Sequence, residues 1–161
     1  MIASLNDVTG FRGEKFVEVE LTEYSGRPAP LFRPGFLGDK WPAVDFYVEL
    51  NSVIGSGMYF LGQAKATAKP LPKKARVVRI SSTKHDIERL QKIPAPTYIF
   101  GIHEPTKRVF VRCVHAGTPL KAITSIPLKN QLTATNLQTL HDEIVAHWVA
   151  NTSKPTQSAF A

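Results

Sequence analysis

Hydrophobic and polar positions alternate most regularly between Ala43 and Lys65. From Ala43 to Leu50, Val44, Phe46, Val48 and Leu50 fall on one face and Asp45, Tyr47 and Glu49 on the other, which predicts a half-buried strand with a carboxylate face. From Met58 to Lys65 the same period of two groups Tyr59, Leu61, Gln63 and Lys65. If the two strands pair through the glycine-containing turn Asn51 to Gly57, an acid, an amide and a lysine converge on one surface. On a solvated surface that cluster is an ordinary cross-strand ion pair of Asp45 with Lys65. In a cleft it invites a divalent cation and a phosphate.

Around this hairpin the pattern is more varied. Met1 to Phe11 reads as an irregular lead-in, and Gly13 to Tyr24 fits two templates. Val17, Val19 and Leu21 alternate like a strand, whereas Phe16 or Val17, Leu21 and Tyr24 follow a helical stripe. Ser25 to Pro42, rich in proline and glycine, predicts a loop whose Leu31, Phe32, Phe36, Leu37 and Trp41 pack over the core edge. Arg27, Arg33 and Lys40 either line a cleft there or face solvent.

Further along, Ala75 to Ser81 predicts a third strand, followed by a helix over Lys84 to Lys92 capped by Ser82 or Thr83. Pro94 and Pro96 stop that helix. The stretches Thr97 to His103 and Arg108 to His115 predict a second hairpin about the turn Glu104 to Lys107, with Val109, Val111 and Cys113 on one face. Pro119 to Leu132 is loop with one short strand at Ala122 to Ile126. Thr135 and Gln138 form a capping box for a last helix carrying Leu137, Leu140, Ile144 and Trp148. Residues 151–161 read as a disordered tail.

Composition narrows the setting. A chain of 161 residues that is 43% hydrophobic suits one domain, residues 1–150, with a proper core. The lone cysteine, Cys113, excludes an internal disulfide and points to a reducing, cytoplasmic compartment. No stretch approaches the roughly 20 apolar residues of a membrane helix, so no membrane partner is expected.

Charge adds more. Between Glu49 and Asp86 there is no acid, but Lys65, Lys69, Lys73, Lys74, Arg76, Arg79 and Lys84 all fall there. Removing those seven from the 20 basic residues leaves 13, the number of acids, so this stretch carries the whole net charge of +7. A basic field beside a carboxylate suits a phosphodiester; a solvated basic loop has the same composition. Its adjacency to Gln63 and Lys65 favours nucleic acid.

The order Pro42-Ala43-Val44-Asp45 then Gln63-Ala64-Lys65 resembles the signature of the PD-(D/E)XK nuclease superfamily, in the Gln-x-Lys form of Mrr-like restriction enzymes. GEKFVEVEL, FLGDKWPAVDFYVEL, YFLGQAKAT and PTYIFGIHEP together resemble domain of unknown function 4365, a branch of that superfamily, over roughly Gly13 to Trp148. The resemblance implies an α/β fold of restriction-endonuclease-like type, with a mixed central sheet of about five strands flanked by helices. It also implies a first helix whose acid, Glu14 with Glu18 as fallback, reaches the site. By the same resemblance Asp45, Gln63, the Ala64 carbonyl and Glu14 would hold Mg²⁺, or Mn²⁺, while Lys65 orients a water or stabilises developing charge. Lys69, Lys73, Lys74, Arg76 and Arg79 would meet the nucleic acid. Asp45, inside the strand pattern, is preferred to Asp39 as the key acid. Glutamine at 63 supplies a neutral oxygen where an acid would supply charge. Glu49 lies about 13 Å further along the strand from Asp45, too far to share one ion.

The resemblance leads to a metal-dependent endonuclease, DNA before RNA, in prokaryotic defence or mobile-element biology. A homodimer would explain double-strand cutting. The alternative is a catalytically inactive recognition module working with a protein partner. Other chemistries lack a pattern. His85, His103, His115, His141 and His147 show no metal spacing, and no nucleophile elbow or phosphate-cradling glycine loop is present. Phe32, Phe36, Trp41 and Tyr59 are candidates for stacking on bases, with core packing the commoner fate of such residues.

Overall fold

The computed structural model describes residues 4–38, 41–52, 54–115 and 117–151. In chain order the elements are α1 (Leu5–Leu21), β1 (Phe32–Phe36), β2 (Phe46–Leu50), β3 (Tyr59–Thr67), β4 (Val77–Ser82), α2 (Lys84–Gln91), β5 (Thr97–His103), β6 (Arg108–Cys113), β7 (Ile123–Pro127) and α3 (Ala134–Ala150). Five strands make one sheet in the order β1-β2-β3-β5-β6. The β3–β5 pair is parallel and the other pairs are antiparallel, so the fold is α/β with a mixed five-stranded sheet. The anticipated third strand, β4, lies outside this sheet and pairs with β7 in a separate two-stranded ribbon.

Two differences from the sequence reading concern the first forty residues. The lead-in is helical: Ser4 and Asp7 form a capping box, each side chain bonding the other's backbone N–H, and this starts α1 well before Gly13. Val17 and Leu21 are fully buried while Val19 is 55% exposed, a split that a helix produces and a strand does not. The loop expected over Ser25 to Pro42 from its proline and glycine content contains β1, which includes Pro34 and Gly35. Proline is tolerated because β1 is an edge strand. Asn51 donates to the Leu31 carbonyl and Leu37 to the Asp45 carbonyl, so the odd residues bond β2 and Pro34 faces away from the ladder.

Each face of the sheet has its own core. On one side Val17 and Leu21 of α1 and Leu137, Leu140 and Ile144 of α3 pack on Phe46, Phe60 and Phe100. On the other, Ile87 and Leu90 of α2 join Val78, Ile80, Ile123 and Ile126 of the ribbon over Leu61, Ile99 and Phe110. α2 begins at a Thr83–Asp86 capping box, so of the two expected caps Thr83 is the one used. The cap of α3 is Thr133, whose hydroxyl accepts from the Asn136 N–H, rather than Thr135. α1 approaches the sheet where it lacks a side chain: a Cβ on Gly13 would sit 2.7 Å from the Ala66 Cβ. The tail reading for residues 152–161, and the readings of Asp39 and Lys40, fall outside the described residues.

Candidate functional site

The expected hairpin forms, with Phe46 opposite Gly62 and Tyr47 opposite Leu61. Asp45 stands just before β2 rather than inside it. Ahead of it Ala43 takes φ 66°, a left-handed conformation that costs a residue with a Cβ about 1–2 kcal/mol. That turn buries Val44 and swings Asp45 onto the edge of β3. The Asp45 N–H donates to the Gly62 carbonyl at 2.9 Å, and its Oδ2 accepts from the Ala64 N–H at 2.7 Å. Asp45 therefore bonds both Gly62, opposite the start of β2, and Ala64, the next position beyond it on the same edge of β3. Even-numbered β3 residues bond towards β2, while Leu61 donates to Pro96 on the β5 side, so the Ala64 carbonyl also points to the Asp45 edge.

Gln63 and Lys65 share the opposite-parity face, turned towards β4 and α2, as the alternation requires. Their surroundings differ. Gln63 is only 2% exposed, and its Oε1 accepts from the Ser82 hydroxyl at 2.8 Å. Lys65 is half-buried, with Nζ 3.5 Å from Asp86 Oδ2. Asp86 also accepts from the Thr83 N–H within the α2 capping box. Burial pushes the Asp86 carboxyl up, but Lys65 and the Thr83 hydrogen bonds outweigh it and hold the carboxyl below its ordinary value. Lys65 thus makes an ion pair with α2.

Glu14 is half-buried on α1, one residue after the Gly13–Ala66 contact. Glu18, the fallback acid, pairs with Lys15 at 3.1 Å on the surface. Glu49 is held by Arg33 at 2.6 Å, and Arg27 bonds Gln138, so neither arginine is presented as a loose cleft cation. Lys69, Lys73, Lys74, Arg76 and Arg79 are all exposed. Lys69 and Arg79 border a cavity of about 540 Å³ between Thr9 and Gly10 of α1, the end of β3 and Ser81 of β4. A neighbouring one of about 380 Å³ shares both cations and adds Arg76 and His103.

Three partners at this site were not legible as such: Ser82, Asp86 and His103. His103 was set aside for lacking metal spacing; it is buried, and it ties the start of the basic loop down by bonding the Lys69 carbonyl through Nε2 at 3.0 Å. That contact makes Nε2 a donor, and Nδ1 meets the Thr106 hydroxyl at 2.7 Å. Cys113 lies against the first core, and burial with the nearby Glu143 raises its thiol to about 11, which suits packing rather than nucleophilic attack.

The donors shown to adjoin are oxygens, the Asp45 carboxylate and the Ala64 carbonyl on the same strand edge, with Glu14 on α1 one residue after the Gly13–Ala66 contact. That chemistry fits a hard, partly hydrated cation such as Mg²⁺. Gln63 does not fit as a ligand of a hydrated ion, because its oxygen is sealed beneath β4. Among the described residues, no group of three or more His, Cys, Asp or Glu side chains could hold a metal. No helix among them is long and apolar enough to cross a membrane. Compared with models of known protein families and with curated proteins, the chain gives no match.

Proposed function

We propose that the protein is a metal-dependent endonuclease that hydrolyses phosphodiester bonds of nucleic acid, DNA before RNA, in a cytoplasmic setting. The observation that carries the reading is the Asp45 carboxylate on the Ala64 N–H at 2.7 Å. It brings the acid to the middle residue of Gln63-Ala64-Lys65, with an exposed basic rim at Lys69 and Arg79 close by. Asp45, the Ala64 carbonyl and Glu14 would hold Mg²⁺, which when bound polarises a phosphate and lowers the pKa of a water. Gln63, anchored by Ser82, fixes the strand between acid and lysine. Lys65 offers an ammonium to charge developing on the phosphate, and Asp86 holds that ammonium until substrate competes for it. Lys69, Lys73, Lys74, Arg76 and Arg79 attract the backbone and make binding salt-dependent.

A second reading, a nucleic-acid-binding module without catalysis that works with a protein partner, draws on two observations. The Gln63 oxygen is buried, and Lys65 already has a carboxylate partner. Supercoiled plasmid incubated with Mg²⁺ or Mn²⁺ against chelator separates the readings. Nicking that requires the metal and disappears in Lys65→Ala supports the nuclease. Cleavage unchanged by that substitution would sink it, and retarded but uncut plasmid supports the binding module.

A further inference from the structure

Phe11 and Phe36 are large rings left in solvent, 61% and 45% exposed, and they come from different elements, α1 and β1. Single exposed aromatics are commonplace. Here, however, one ammonium joins the two: Lys15 Nζ lies 5.8 Å from the Phe11 ring centroid and 5.7 Å from that of Phe36. Cation–π contacts of this length hold side chains in place, at about 0.5–1 kcal/mol each when exposed. Phe36 is also braced from behind by the fully buried Phe46, with centroids 5.6 Å apart. The result is a pair of exposed rings from two elements with one positive charge between them.

The pair borders the candidate site on both elements. Phe11, Glu14, Lys15 and Glu18 recur at helical spacing and share one side of α1. Just past the end of β1, Leu37, next to Phe36, donates to the Asp45 backbone carbonyl at 2.8 Å. Lys15 is paired with Glu18 at 3.1 Å, but an exposed pair three residues apart on a helix is worth well under about 1 kcal/mol and yields readily to a phosphate.

We propose that Phe11, Lys15 and Phe36 form a stacking platform for an unpaired base, so that the nucleic acid taken by this protein has a single-stranded segment beside Asp45. Ring faces are open to stacking only on bases that are not already stacked in a duplex, and the ammonium complements the phosphate that accompanies such a base. The inference rests on the nucleic-acid reading above and names the form of substrate that reading leaves open.

The test is fluorescence anisotropy with a labelled single-stranded oligonucleotide and with the duplex of the same sequence, in chelator so that nothing is cut. Phe11→Ala is expected to weaken single-strand binding about 5-fold to 150-fold, the range found for losing one aromatic under a base. Duplex binding stays unchanged, Phe11→Tyr retains affinity, and Phe11→Leu behaves like Phe11→Ala despite its similar bulk. The exposure of Phe11 keeps these variants folded; Phe36→Ala is the companion, checked for stability because of Phe46. Unchanged single-strand binding in Phe11→Ala, equal losses on both substrates, or no single-strand binding by the wild type would each overturn the platform. Platform-dependent binding without metal-dependent nicking would remove the nuclease and keep the platform. Lys65-dependent nicking with indifferent Phe11 variants would do the reverse.

Discussion

Two glycines on α1 provide an internal control for how the helix meets the sheet. A Cβ added at Gly10 would have nothing within 4 Å, whereas one at Gly13 would sit 2.7 Å from the Ala66 Cβ, an atom that no rotamer change can move. Replacing glycine by alanine inside a helix favours folding by about 0.8–1 kcal/mol. Gly10→Ala should show that gain nearly whole. Gly13→Ala carries the same gain, but must lift α1 by about 1 Å to reach an ordinary carbon contact, an overpacking cost of about 1–3 kcal/mol. Because the propensity gain cancels, the difference between the variants measures the packing cost alone. At about 2–4 °C per kcal/mol for a chain of this size, Gly13→Ala should melt several degrees below Gly10→Ala. Urea titration of both, with Ala66→Gly added to Gly13→Ala, completes the assay. Removing the Ala66 methyl should recover part of the loss, a coupling between touching residues. Equal stabilities for the two alanine variants, or no coupling with Ala66, would refute the docking of α1 on β3 and with it the placement of Glu14.

Ser82→Ala would leave the Gln63 Oε1 buried without its donor and should cost about 1–3 kcal/mol in urea titration; an unaffected midpoint would show that this hydroxyl does not carry the amide. Asp86→Asn should reduce stability at neutral pH by at most about 1 kcal/mol, since the ion pair with Lys65 is partly solvated. The Asp86 carboxyl is held below its ordinary value, so its contribution is present above an unfolded pKa of about 3.9 and is lost as pH falls through the lower folded value. The gap between the two proteins should therefore close on acidification, and a gap that persists in strong acid would assign the effect to the α2 cap instead.

Local signals carried the second half of the chain well. Thr97 to His103 is bounded by prolines on one side and a turn on the other, and β5 has those limits. Thr83 and Asp86 sit three apart before an apolar spacing, and α2 starts there. The start of α1 was hidden because Gly10 and Gly13 lower helix propensity, although one faces open space and the other allows close packing. β1 was hidden because Pro34 signals a turn unless the strand is known to lie at an edge. At the site, the approach of Asp45 to β3 follows from hairpin register, and it is made at the Ala64 N–H, whereas Gln63 and Lys65 take their partners from β4 and α2. Ser82 and Asp86 were not legible in the sequence, because β4 and α2 return over β3 through long-range packing that no spacing along the chain encodes.

The orientation of Pro34 bears on how copies of this chain can associate. Its missing N–H is on the outer margin of β1, so the ladder to β2 loses nothing, while an incoming strand would find no donor there. Arg33, exposed on the same short strand, adds a charge that a docking edge would have to bury. This margin is guarded against continuing the sheet into a neighbour. A pairing of two copies of this chain would have to use a surface other than this edge, leaving β1 the outermost strand of each sheet on that side.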